Sequence, residues 1–173
     1  MMKASVVVCC LLVAVSALVV GCGTSYSWRS NVPAQMRTVA VPTFRNESDL
    51  NEFGAVASRQ VLREFQREGT FSIRRADDAA VEVQGIVKRV TVGSGSYNRR
   101  TLGRMHACDM TAQVEISVID KRAGRVLVDS RLYRARTTMT FGQDKTTAER
   151  DAAGRLADDL SRQVVDDVLN LKW

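Results

Sequence analysis

The sequence predicts an α+β domain: a two-layer sandwich in which a mixed or antiparallel sheet of about four strands carries two helices packed on one face, in the order β-α-β-β-β-α. Three observations predict it. Apolar residues at Leu50, Phe53, Ala57, Val61 and Phe65 recur at the three-and-four spacing of an amphipathic helix. Leu156, Leu160, Val164, Val168 and Leu171 repeat that pattern near the end of the chain. Between them, residues 106–119 alternate cleanly, with Cys108, Met110, Ala112, Val114, Ile116 and Val118 on one side and Asp109, Thr111, Gln113, Glu115 and Ser117 on the other. Such a strand buries one face and leaves the other to water or a polar partner.

The remaining elements follow in order. TVAVPTF at 38–44 is β-branched and carries Pro42 near its end, as a first strand ending at an edge or bulge does. RNESD is a polar turn in which Ser48 or Asp49 can cap the first helix, and Gly69 stops that helix. TFSIRR is a short strand or extension. AVEVQGIVKRVTV at 80–92 alternates with a slip around Lys88 and Arg89 that predicts a bulge. DKRAG at 120–124 is a turn, and residues 125–138 form the next strand, with an ambiguous inward face. Thr146 and Glu149 stand at the spacing of a capping box for the last helix.

The first 21 residues read differently. Lys3 is their only charge, and residues 6–20, VVVCCLLVAVSALVV, are an apolar run of 15. That is short for a bilayer span, which needs about 20 apolar residues, and suits the central region of an export signal. Val19-Val20-Gly21-Cys22 resembles a bacterial lipobox. The resemblance implies cleavage before Cys22, a diacylglycerol thioether on its sulfur and an acyl chain on its new amino group, anchoring the protein by several chains. Gly23, where an aspartate signals inner-membrane retention, points to the periplasmic face of the outer membrane. The expected organisation is a signal at 1–21, a tether at 22–35 and one domain at 36–173. Tyr26 and Trp28 in the tether rest at the membrane interface or dock on the domain.

Removing Lys3 with the signal leaves 24 basic and 19 acidic residues, a net charge of +5. For an envelope protein that balance suits phosphorylated lipid head groups rather than nucleic acid. Loss of Cys9 and Cys10 with the signal and lipidation of Cys22 leave Cys108 alone, so no internal disulfide forms, and Cys108 reads as a small buried hydrophobe. Catalytic and metal chemistry lack parts: His106 is the single histidine, set at a strand end. Asp158-Asp159 and Asp166-Asp167 are adjacent on a helix, where neighbours point about 100° apart, and read as its solvated side. GSGS at 93–96 precedes no Gly-Lys-Ser/Thr and is a hairpin tip, not a phosphate loop.

Around that tip lie Arg99, Arg100 and Arg104. The strand at 106–119 runs away from the loop and the strand at 125–138 returns, bringing Arg134 and Arg136 to the same end, with Asp109 and Asp144 as counter-charges. Five guanidiniums at one edge form a candidate phosphate-binding surface, because the planar fork of arginine holds two oxygens at once. The alternative is a solvated basic surface.

CGTSYSW, TVAVPTFRNES, VLREFQREGTFSI, the valine-rich strands and the C-terminal amphipathic helix together resemble the LPS-assembly lipoprotein family, LptE. The specific pieces are the Cys-Gly start and the Val-Pro-x-Phe-x-Asn strand exit. Thr24 and Ser25 intervene before Tyr26, whereas the family's pattern has tyrosine directly after Cys-Gly. The resemblance implies a non-enzymatic lipoprotein without cofactors. It implies a protein that plugs and helps assemble the outer-membrane β-barrel LptD and binds lipopolysaccharide on its way to the outer leaflet. Two other readings compete: a subunit of a curli-export (CsgG-type) secretion channel, which shares a VAVxxFxN strand, and an envelope binding module with no barrel partner. Residues 93–104 are too short and too basic for a membrane-spanning strand, which disfavours the channel.

Overall fold

The computed structural model describes residues 32–93, 106–141 and 144–173, apart from the side chains of His106 and Phe141. Cys22, Tyr26, Trp28, Arg99, Arg100, Arg104 and most of GSGS lie outside the described residues. The elements are β1 (Thr38–Ala40), β2 (Arg45–Asn46), α1 (Phe53–Glu68), β3 (Ser72–Ile73), β4 (Val81–Val92), β5 (His106–Asp120), β6 (Arg125–Phe141) and α2 (Lys145–Leu169), preceded by a single 3-10 turn at Ala34–Met36. This is the expected α+β sandwich with two helices on a mixed sheet. Six strands are present among the described residues rather than about four, because the strand exit at Arg45–Asn46 and the TFSIRR segment each contribute a two-residue strand.

The sheet runs β3-β1-β4-β5-β6, with β2 alongside β4 beyond the end of β1. β1 is parallel to β3 and β4, and β2 to β4, whereas β4, β5 and β6 are an antiparallel meander. The alternation in β5 holds throughout: Cys108, Met110, Ala112, Val114, Ile116 and Val118 are buried, and the residues between them are partly exposed. Phe53, Ala57, Val61 and Phe65 of α1 and Leu156, Ala157, Leu160, Val164 and Val168 of α2 close the same core, which Val32 and Met36 enter from the N-terminal side.

The slip expected near Lys88 is a bulge: Val87 pairs with Val114 and Arg89 with Gln113, so Lys88 is the extra residue. It shifts the phase of β4, placing Val81, Val83, Val87 and then Val90 in the core. The ambiguous face of β6 has the same cause. Ile116 pairs with Arg131 but Val118 with Val128, which inserts a residue near Ser130, and Ser130 adopts a φ of 43°. Val128 therefore points inward on one phase, and Tyr133, Ala135 and Met139 on the other.

The helix starts differ from the capping expected. Ser48 and Asp49 do not cap α1; Ser48 instead donates through both its N–H and its hydroxyl to Asn46 Oδ1, at 3.1 and 2.7 Å. Asn46 Nδ2 donates to the carbonyls of Leu50 (2.7 Å) and Asn51 (3.1 Å), so the entry to α1 is tied down from the strand before it. Gly69 ends α1 in the left-handed region at φ 84°, donating its N–H to the Phe65 carbonyl. On α2 the cap is Asp144, whose side chain accepts from Thr147 N–H at 3.1 Å, rather than Thr146. Aspartate in an extended backbone three residues before a free N–H is as good an acceptor as threonine, and it starts the helix earlier.

Phe44 fixes how β2 and α1 meet the sheet. Its ring lies over the backbone of Gly85, where a Cβ would stand 2.5 Å from the ring's Cγ, and a Cβ on Gly54 would stand 2.6 Å from the Phe44 carbonyl oxygen. Phe44 is itself buried, so the ring has no free direction in which to yield. Gly85→Ala is expected to cost about 1–3 kcal/mol through overpacking. A lowered urea midpoint with unchanged m-value shows it; an unchanged midpoint contradicts the packing described.

Candidate functional site

The face of the sheet opposite the helices is bare among the described residues, and its polar rows are set by strand register. Arg89, Gln113 and Arg134 are directly opposite one another on β4, β5 and β6, and Thr91, Thr111 and Arg136 form the next row. Neighbouring strands are about 4.8 Å apart, which puts the backbones of Arg89 and Arg134 about 10 Å from each other with the neutral Gln113 between. Both arginines are exposed, and neither forms an ion pair among the described residues. Thr91 and Thr111 share a hydroxyl hydrogen bond at 2.6 Å.

Arg136 has a partner. One of its Nη atoms donates to Asp109 Oδ2 at 2.5 Å, and Thr138 donates its hydroxyl to Asp109 Oδ1 at 3.3 Å. The hydrogen bond from Arg136, opposed by desolvation and aided by its charge, holds the Asp109 carboxyl below the usual carboxylate range. Beside this row, Glu47 accepts from Lys88 Nζ at 2.7 Å and from Arg45, which lowers its carboxyl and raises the Lys88 ammonium. Glu47, Ser48, Asp49, Lys88, Arg89, Val90 and Thr91 line a cleft of about 350 Å3 at the β4 end of the rows.

The structure places Arg136 opposite Thr111, toward the end at which β4 stops, and Arg134 opposite Gln113, nearer the middle of β6. Gly93, where the chain leaves β4, donates its N–H to the Asp109 carbonyl at 2.7 Å, so that end is also where residues 94–105 depart. Asp109 is a counter-charge as expected. Asp144 is not: its carboxylate is committed to Thr147 in the α2 cap, which holds it below the usual range. Arg89 is the residue the sequence reading missed. Strict alternation from Val81 would turn position 89 inward, and the bulge at Lys88 turns it outward; the signal was the three-residue step from Val87 to Val90.

The paired aspartates of α2 are not simply its solvated side. In each pair one member faces a neighbour. Asp158 accepts from Gln60 of α1 at 2.8 Å and pairs with Arg162. Asp167 Oδ2 accepts from Arg131 at 2.7 Å and from the Tyr133 hydroxyl at 2.8 Å, and burial with this carboxylate pushes the phenol up to about 12. Cys108 is a free, buried thiol. No group of three or more His, Cys, Asp or Glu side chains among the described residues is placed to hold a metal ion, and no described helix is long and apolar enough to cross a membrane.

A family model for LptE, described as lipopolysaccharide-assembly, matches residues 36–168. No curated protein sequence matches the chain. Among solved structures, a hypothetical protein from Chlamydia trachomatis is similar with a TM-score of 0.54 at 13% identity, over 78% of this chain and 96% of that one. A protein from Xanthomonas campestris is similar with a TM-score of 0.53 at 13% identity, over 80% of this chain and 88% of that one. At these identities the likeness is one of fold.

The Asp109 pair carries a pH dependence of definite sign. A carboxyl lowered on folding contributes stability above its unfolded pKa, about 3.9, and loses it as pH falls through the folded value. Between neutral pH and about pH 3 the parent chain is therefore expected to lose more stability than Asp109→Asn. Denaturant midpoints at the two pH values check this, and equal losses would contradict it.

Proposed function

The chain belongs to the LptE lipopolysaccharide-assembly family, and we propose that it is the lipid-anchored plug of an LptD-like outer-membrane barrel and binds lipopolysaccharide through the basic face of its sheet. The observation that carries this reading is the family match over residues 36–168, which spans β1 to nearly the end of α2. In this reading residues 1–21 are the signal, Cys22 carries the diacylglycerol and an N-acyl chain, and residues 22–35 tether the domain at 36–173 to the periplasmic face of the outer membrane.

Lipopolysaccharide presents phosphates on an amphipathic body, and the bare sheet face has the matching chemistry. Arg134 and Arg89 offer uncommitted guanidinium forks, with Gln113 and two threonine hydroxyls between and beside them. Arg136 joins them when a phosphate competes with Asp109. Arg99, Arg100 and Arg104 belong to the segment that leaves β4 at this end of the sheet, and in this reading they complete the surface. Ile86 and Leu132 flank Glu115 in the row below and add apolar contact beside the charges.

No step of this function asks for bond chemistry. The domain holds a charged ligand and occupies a barrel, and both tasks need a stiff scaffold with one face left open.

Extraction of envelopes in mild detergent is expected to recover the protein with a large outer-membrane β-barrel in equal amounts. Recovery as a free monomer, or as a ring of its own copies, would contradict the plug.

A further inference from the structure

β6 is the last strand in the sheet order, so one of its sides has no strand beside it. A long open edge is a template for pairing with another chain, and proteins blunt such edges with charge or cover. Two bonds identify which backbone groups of β6 face outward. The carbonyl of Arg134 accepts from Gln163 Nε2 at 3.2 Å, and the carbonyl of Thr138 accepts from Arg155 Nη2 at 3.0 Å. Backbone groups alternate sides along a strand, so Leu132, Arg136 and Thr140 present theirs to the same open side.

The two bonds are matched in spacing. Arg134 and Thr138 are four strand residues apart, about 13 Å at the rise of a strand. Gln163 and Arg155 are eight helix residues apart, about 12 Å at the rise of a helix. α2 therefore lies antiparallel along the edge with one donor for every second outward carbonyl. Arg155 Nε also donates to the Thr137 hydroxyl at 3.2 Å, and Asp167 fastens a third point through Arg131 and Tyr133. The strand needs such cover: Leu132 is 39% and Val126 55% exposed, which gives the edge apolar surface as well as free backbone groups.

We propose that Arg155 and Gln163 are edge guards, whose bonds to the β6 carbonyls keep this strand from pairing with β6 of a second copy of the chain. The second copy is the occupant the geometry favours. Two identical edges meeting antiparallel form a closed two-fold contact in which each β6 strand satisfies the other, with no part of that edge left for further growth. The guards act by occupying the acceptors and by setting a guanidinium in the path of the incoming strand. The inference does not depend on what the outer sheet face binds.

The test is the protein mass of the full chain, purified on its own in detergent, by light scattering. The parent is expected as a monomer and Arg155→Ala/Gln163→Ala as a dimer at the same concentration. Gln163→Ala alone, which leaves the Arg155 bonds in place, is expected to give a mixture. Adding Arg136→Pro to the double variant is expected to restore the monomer, because that N–H points away from β5 and its loss breaks no backbone bond of the sheet; only the exposed side-chain pair with Asp109 goes with it. A double variant that keeps the parent's circular dichroism and remains monomeric would overturn the proposal. So would a dimer that Arg136→Pro leaves intact.

Discussion

Both helices pack on one face of the sheet, and that one-sidedness governs what every strand residue is free to do. A residue of β4, β5 or β6 either joins the single apolar layer shared with α1 and α2 or stands on a face that no described element covers. Because side chains alternate, a shift of one residue exchanges the two fates. The bulge at Lys88 and the extra residue near Ser130 are such shifts. The first delivers Arg89 to the open face; the second turns Tyr133 inward to Asp167 and leaves Arg134 and Arg136 outward. The basic rows are thus a product of two local irregularities imposed on a regular core.

The residues that most resemble the family have structural work in this fold. In Val41-Pro42-Thr43-Phe44-Arg45-Asn46, Phe44 seals the β2 crossing over Gly85, and Asn46 holds the turn before α1 with both ends of its amide. Neither faces the basic rows. The motif specifies how the first helix is delivered to the sheet, while the basic rows proposed to meet the ligand occupy positions set by strand register. The family match spans both regions, from β1 to nearly the end of α2.

Much of this was legible in advance, and the reasons for the gaps are physical. The long helices and β5 carry complete periodic patterns, so their buried faces follow from the order of residues alone. β2 and β3 have two residues each, too few for any period, and exist because β1 and β4 supply their hydrogen bonds. Both expected caps were displaced by stronger local partners: Asn46 took Ser48, and Asp144 took the role assigned to Thr146. Arg134 and Arg136 could be placed because β6 returns beside β5. Arg89 could not, because its side depends on where within Lys88-Arg89 the extra residue sits, and both are charged and soluble on either choice. The roles of Asp158 and Asp167 as ties from α2 to α1 and β6 depend on packing distances that adjacent positions in the sequence do not reveal.

The central claim is that the ligand lies on the open face of the sheet, over Arg89, Gln113 and Arg134, and not on the helices. Site-specific photocrosslinking in cells tests it most directly, with the reactive group placed at Gln113 or Thr111 and, for comparison, at Arg59 or Arg63 on the exposed side of α1. The account predicts lipopolysaccharide adducts from the two sheet positions and none from the helix positions. Adducts from α1 alone, or none at Gln113 while the protein is recovered with its barrel, would contradict it.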